Sequence, residues 1–332
     1  MLRRQTAALM RHAPSIAVQS HDDVQEIAQA FGLGDGAMLT GASARGEQGA
    51  VVQVATSRGT WAVKASFAEP DALDGEDADF QSAARAAGVP APAVVHTVGG
   101  DVWARLGSKW IRVYEWVDLL APNRALDPAE VGRLLAAIHM VEFEGARPED
   151  PWYTDAVGAA AWDELIQDLA DGGAPFAADV AAMRSELVAL ESLLEPASSV
   201  RTCHRDLWAD NVRRTSAGGL CVIDWENCGL AAPGQELAVV LFEFGSSDED
   251  RTRELFCEYR RCGGPGRVRR RGDFSMAIAQ LGHITELSCR SWLDPAAPDA
   301  ERDRQAARFR ESAEDPLTVE RIDQMLDAVG GE

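Results

Sequence analysis

Two short stretches constrain this chain more than anything else in it: His204-Arg205-Asp206-Leu207-Trp208-Ala209-Asp210-Asn211, and Ile223-Asp224-Trp225-Glu226. In the first, an acid suited to receiving a hydroxyl proton (Asp206) stands five residues before an amide suited to holding a divalent cation (Asn211). Five residues span one tight loop, so both side chains can serve a single group. In the second, an apolar strand (Leu220, Val222, Ile223) ends in Asp224. A turn over 215–219 lets the chain double back and deliver that carboxylate to the same point. An H-x-D loop beside an unrelated strand would be the plainer reading of a lone triplet. The full octapeptide followed by a strand-borne acid outweighs it.

Length and composition fit that demand. A chain of 332 residues, 46% hydrophobic and 26% charged, has enough apolar mass for two lobes with cores of their own. No apolar run approaches the ~20 residues of a membrane helix. The start (Met1, Leu2, Arg3, Arg4) is basic but lacks a continuous apolar stretch, so no signal peptide is read. Six cysteines (Cys203, Cys221, Cys228, Cys257, Cys262, Cys289) form no C-x-x-C pair. They read as reduced thiols of a cytoplasmic protein.

The net charge is −21. Residues 1–120 carry 14 acids against 10 bases, and residues 121–332 carry 39 against 22, so the second part holds −17 of the total. That field disfavours nucleic acid and anionic membranes and favours cations. The run Arg267-Val268-Arg269-Arg270-Arg271 reads as a solvated loop. Only two of the 32 basic residues are lysines, Lys64 and Lys109. A compact ammonium and a planar guanidinium differ where a cation must sit among phosphate oxygens.

Periodicity places a helix over about 21–31, behind Ser20. Strands are expected over about 37–43, 50–56 and 60–65, the last two joined by Ser57-Arg58-Gly59. The loop Arg45-Gly46-Glu47-Gln48-Gly49 can offer backbone N–H groups to phosphates. A helix over about 74–87 carries Glu76 and Asp79 on one face; Glu76 is expected to pair with Lys64, and Asp77 only to favour the helix start. Strands near 94–98 and 110–116 precede a lobe boundary between residues 117 and 118. Beyond it the pattern is helical, near 127–139, 157–171, 176–194, 234–245, 248–260, 273–292 and 316–329.

Together these residues resemble the aminoglycoside phosphotransferase and choline kinase-like family, small-molecule kinases of protein-kinase-like fold. The resemblance spans about 37–290, through Val63-Lys64, Gly88-Val89-Pro90-Ala91-Pro92, Val113-Tyr114-Glu115-Trp116, Leu134-Leu135-Ala136-Ala137-Ile138-His139, the octapeptide and Ile223-Asp224-Trp225-Glu226. No D-F-G or A-P-E follows, unlike protein kinases. Three departures stand out. Arg205 replaces a residue that is usually small, Glu236 replaces the usual Asp, and the loop at 45–49 is atypical.

The resemblance implies an α+β fold, with an N-terminal nucleotide-binding lobe (1–117) of antiparallel sheet plus one main helix, and a helical catalytic and substrate lobe (118–332). It implies that Lys64 holds phosphates of ATP or GTP with Glu76 fixing it, that Gly46 and Gln48 belong to the phosphate loop, and that the Tyr114 C=O and Trp116 N–H receive the purine. Asp206 would act as the base, with Asn211 and Asp224 on Mg²⁺. His139 and His204 read as buried packing residues.

On the acceptor side, acids alternate with Trp152, Tyr153 and Trp162 over 149–171. Acids with aromatics suit a cationic acceptor, although Trp162 reads better as core. Trp208, Glu226 and Glu286 are the substrate candidates. The expectation is an enzyme, an O-phosphotransferase for a small cationic molecule, foremost an aminoglycoside-like antibiotic. A choline-like or amino-sugar metabolite and a non-catalytic pseudokinase are the alternatives. Oligomeric state is left open.

Overall fold

The computed structural model describes residues 21–40, 44–45, 49–66, 70, 75–245 and 248–330. In chain order the elements are α1 (His21–Ala30), β1 (Met38–Leu39), β2 (Ala44–Arg45), β3 (Gly49–Thr56), β4 (Gly59–Ser66), α2 (Glu76–Ala86), β5 (Val94–Val95), β6 (Ala104–Leu106), β7 (Lys109–Glu115), α3 (Pro128–His139), α4 (Pro151–Thr154), α5 (Ala159–Asp171) and α6 (Ala177–Glu191). There follow β8 (Arg201–Cys203), β9 (Val212–Arg214), β10 (Leu220–Val222), β11 (Gly229–Ala231), α7 (Pro233–Gly245), α8 (Glu249–Arg261), α9 (Ser275–Leu293), α10 (Asp299–Glu314) and α11 (Val319–Val329). The chain divides into two compact units, 1–122 with 211–227, and 123–210 with 228–332. Compared with the expected boundary, the hairpin carrying Asn211 and Asp224 joins the first unit.

In the first unit an antiparallel sheet runs β1-β3-β4-β7-β5, with β2 on β3 and β6 on β7. Strand alternation gives it two distinct faces. Val52, Val54, Val63, Ala65, Ile111 and Val113 pack beneath Val24 and Ile27 of α1 and Phe31 just after it in one apolar cluster. The residues between them, Lys64 on β4 and Arg112 and Tyr114 on β7, take the opposite face, which builds the site. The β9–β10 hairpin, in register Val212↔Val222, is tied to the segment after α2 by Val222 N–H donating to Pro90 O at 2.8 Å. Phe80 of α2 meets Trp225 edge-on at 5.4 Å.

The second unit is helical apart from the β8–β11 pair. Asp127 caps α3, accepting from the Glu130 N–H at 2.8 Å, and Pro128 occupies the first helical turn. The α7 helix is buried along its whole length. Trp162, Leu165, Leu169, Phe176 and Phe309 form a core among α5, α6 and α10. The α10 helix was not expected from the sequence. Only Ala306 and Phe309 of its sixteen residues are buried, so its apolar stripe is too thin to read.

Candidate active site

Lys64 lies on the polar face of the first unit's sheet. Its ammonium donates to Asp224 Oδ1 at 2.5 Å and to Glu226 Oε1 at 2.8 Å. The expected partner was Glu76. Among the described residues Lys64 pairs with the two acids after β10 and not with Glu76. The α2 acid that turns inward is its neighbour, Asp77. Asp77 is 2% exposed and ion-paired to Arg112, itself 1% exposed, so it does far more than favour a helix start. The sheet register explains the exchange: Arg112 is the direct cross-strand partner of Lys64. Being longer, Arg112 reaches α2 and takes its acid, while rings of Trp103 and Tyr114 lie 4.8 and 5.5 Å from the guanidinium.

Glu226 is the junction of this network. Its Oε1 accepts from Lys64 and from the Tyr114 hydroxyl at 2.9 Å, with Arg112 at 3.9 Å. Burial alone would raise its pKa, but Lys64, a hydrogen bond with Asp224 and Arg112 hold it well below the ordinary value. Asp224 moves the other way, pushed up by burial and by the Glu226 charge against the pull of Lys64. Lys64 itself is raised, since the two carboxylates outweigh its burial.

Asp224 has φ 64°, a left-handed conformation that is costly outside glycine. One residue earlier, the Ile223 N–H donates to Asn211 O at 3.0 Å. That bond joins the two ends of the hairpin, so Asn211 and Asp224 start from adjacent backbone. A neutral amide oxygen and a carboxylate are hard oxygen donors, and the pair fits Mg²⁺ as the resemblance implies.

The groups expected to receive the purine, the Tyr114 C=O and the Trp116 N–H, both point into the sheet. The Trp116 N–H is spent inside the sheet, donating to Thr60 O at 3.1 Å. Ladder alternation then turns the Tyr114 C=O toward Ala62, its partner on β4. The Glu115 N–H donates the other way, to Ala93 O at 2.9 Å. Among the described residues, the Glu115 C=O and Val117 N–H are the next groups on that second edge and have no hydrogen-bond partner. Gly46 and Gln48 lie outside the described residues.

In the second unit, β8 runs into the Asp206 loop, which α7 grips from behind. Glu236 accepts from the Arg205 N–H, and Glu243 Oε1 accepts from the Ala209 N–H at 3.0 Å. Seven residues apart, the two acids share one helix face. Gln280 of α9 donates to the Arg205 C=O at 2.8 Å. Glu236 is anchored in turn by His139 Nε2 at 2.7 Å. The Tyr259 hydroxyl accepts from the Gly266 N–H at 2.7 Å and is hydrogen-bonded to His139 Nδ1 at 2.8 Å, while His139 Nε2 faces Glu236. Burial opposes the Glu236 charge, yet the bonds from His139 and the Arg205 N–H keep its pKa below the usual value. His139, Cys203 and Glu236 approach within 4.8 Å of one another, but both His139 nitrogens are committed to this network, which makes it structural, not a metal site. Both His139 and His204 are buried.

The acceptor candidates divide. Trp208 meets Phe242 edge-on at 6.4 Å, and among the described residues its indole N–H has no partner. Trp152 stacks on His283 at 5.2 Å. Glu286 is matched already, by Arg290 at 2.7 Å and His283 at 3.4 Å, so its charge is not held in reserve for a ligand. Trp162 is core, donating to Glu191 Oε1 at 2.8 Å. Asp163 pairs with Arg184, and Asp150 caps α4. Much of the acid-and-aromatic pattern is therefore architecture. Two arginines of the basic run are also ion-paired to distant acids, Arg270 to Glu195 at 2.5 Å and Arg271 to Asp323 at 2.6 Å.

Comparison with known proteins gives one family. The model of the phosphotransferase enzyme family matches residues 42–272. No curated protein matches the chain. Among solved structures, a spectinomycin phosphotransferase in complex with ADP and spectinomycin is 13% identical, with 94% of this chain and 98% of that chain covered at a TM-score of 0.68. An aminoglycoside phosphotransferase from Alicyclobacillus acidocaldarius is 19% identical, covering 97% and 98% at 0.58. A choline kinase from Streptococcus pneumoniae is 15% identical, covering 88% and 96% at 0.51. At such identities these likenesses report the fold, which is α+β and protein-kinase-like, as expected.

Proposed function

The chain belongs to the phosphotransferase enzyme family and is a small-molecule phosphotransferase, and from that premise we propose an O-phosphotransferase that uses ATP or GTP with Mg²⁺ and a small cationic acceptor. The observation that carries this reading is the convergence of Lys64, Asp224 and Glu226 on one face of the sheet, with Asn211 bonded to the base of the Asp224 strand. A structural ion pair would need one acid, and this lysine has two.

In this reading the first unit handles nucleotide and metal. Lys64 neutralises phosphate oxygens, the Glu115 C=O and Val117 N–H take the purine edge, and Asn211 and Asp224 would hold Mg²⁺, which supplies positive charge to the transferring group. Asp206 is the proposed base. The acceptor oxygen forms a bond to the γ-phosphorus as the bond to the β,γ-bridging oxygen breaks. The hydroxyl proton passes to the Asp206 carboxylate, and the nucleoside diphosphate leaves. Positioning and charge neutralisation carry most of such a rate.

An aminoglycoside-like antibiotic is the favoured acceptor, supported by the −17 carried by residues 121–332. Choline-like or amino-sugar metabolites are the second reading, supported by Trp152 and Trp208 as aromatic surfaces for an amine. A pseudokinase would be expected to lack one of Lys64, Asp206, Asn211 and Asp224, and all four are present. Among the described residues no helix is long and apolar enough to cross a membrane. The free thiols suit a reducing cytoplasm. The test is Mg-nucleotide turnover, ATP against GTP, over a panel of aminoglycosides, amino sugars and amino alcohols. Selective turnover of a cationic acceptor supports the proposal, and turnover of neutral alcohols alone would redirect it.

A further inference from the structure

Arg205 departs from the small residue usual at its position, and the structure is built around it. Its backbone holds φ 65°, where glycine would sit without strain. Its side chain is 3% exposed. The guanidinium donates through one terminal nitrogen to Pro148 O at 3.0 Å and through the other to Cys228 O at 3.1 Å. It lies over the ring of the buried Tyr153 at 4.5 Å. On its remaining side is Gly229 of β11, where a Cβ would come within 2.5 Å of the guanidinium carbon. Gly229 is not held at a positive φ, so the space occupied by Arg205 is what excludes a side chain there.

We propose that Arg205 is a positioning residue, whose guanidinium, seated on Gly229, locks the Asp206 loop to β11 and to the 148–153 segment. The proposal rests on the role given above to Asp206. Three pieces of chain meet at this one planar cation: the loop that presents the base, the strand after the metal hairpin, and the segment bearing Trp152 and Tyr153. A planar fork can bond two carbonyls and stack on a ring at once, and an ammonium cannot. The loop backbone is held on both sides of Cα205, by Glu236 at the N–H and Gln280 at the C=O. The side chain adds the third constraint, and so fixes the direction in which the next residue, Asp206, leaves.

The test is a double-mutant cycle of Arg205→Gly and Gly229→Ala, with Arg205→Lys alongside. Two readouts are taken: hydrogen exchange in peptides covering 146–154 and 204–210, and hydrolysis of Mg-ATP with water as acceptor. Arg205→Gly should speed exchange in both peptides together. It should lower kcat by about 10–100-fold while leaving the KM for ATP within about twofold. Gly229→Ala, which displaces the guanidinium but keeps it, should do the same in milder form. Adding it to Arg205→Gly should cost nothing more, and Arg205→Lys should fall between. Additive effects, or wild-type exchange in both peptides, would overturn the proposal. An exchange effect with unchanged kcat would also overturn it, as a purely structural clamp. If the wild type consumes no ATP with any acceptor, the kinase reading fails, while the exchange cycle still decides whether the lock exists.

Discussion

Lys64 and Arg112 face each other across β4 and β7, and they divide the surrounding acids between them: Asp77 goes to Arg112, Asp224 and Glu226 to Lys64. Side-chain length decides the division. The guanidinium spans from the sheet to α2, and the ammonium stays with the acids that follow β10.

The Asp77–Arg112 pair is nearly inaccessible to solvent, so losing one partner should hurt more than losing both. Asp77→Asn leaves a buried guanidinium without its carboxylate and should cost about 3–5 kcal/mol, whereas Asp77→Leu with Arg112→Met should cost clearly less. Urea unfolding of the two variants checks this. A double variant as unstable as the single one would mean that the pair is more than a matched charge.

Glu226→Gln should raise the KM for ATP by about tenfold or more, because it frees Lys64 from one of its two anchors and leaves Tyr114 a poorer acceptor. Lys64→Arg should be at least as damaging, although arginine is this chain's usual cation, since a planar fork cannot occupy the space of an ammonium between Asp224 and Glu226. Steady-state kinetics with ATP varied would reveal either effect. A Lys64→Arg enzyme with unchanged KM and kcat would remove Lys64 from the phosphate site.

The two glutamates of α7 should respond oppositely to pH. Glu236 is depressed below its ordinary 4.5, so its ionised form contributes stability above that pH, which is lost as pH falls through its folded value. Glu236→Gln should therefore cost about 1.5–3 kcal/mol at pH 7, with the difference from wild type shrinking below about pH 4.5. Glu243 is raised by burial, so the stability of its neutral form is present below 4.5 and is lost as pH rises through the folded value. Glu243→Gln mimics that neutral form and can still accept from the Ala209 N–H, so it should compare better with wild type at pH 7 than at pH 4. Thermal unfolding across pH 4–7 measures both trends.

How much could be read in advance follows the range of each interaction. The β3–β4 hairpin was visible because alternation and the turn at Ser57-Arg58 are local signals. So was the return of Asp224 beside Asn211, which needs only a short hairpin. The partner of Lys64 was not, because it depends on which strand lies next to β4 and on what that strand presents. One register fact, Lys64↔Arg112, would have redirected both acids. Register also turned the Tyr114 C=O and Trp116 N–H into the sheet, since the parity of a ladder is invisible until its partner strands are known. Arg205 was conspicuous as a departure, but its meaning came from Pro148, Gly229 and Tyr153, all distant in sequence or of types that signal nothing alone.

Asp206→Asn is the most direct test of the whole account. The substitution keeps size and one acceptor oxygen but removes the carboxylate that takes the proton, while Lys64, Asn211 and Asp224 are left intact. With Mg-ATP and an accepted acceptor, kcat should fall by about 10²–10⁴, and the Kd for Mg-nucleotide from calorimetry should stay within a few-fold of wild type. A variant that turns over at the wild-type rate would contradict the assignment of Asp206 as the base, and with it the mechanism proposed for this phosphotransferase.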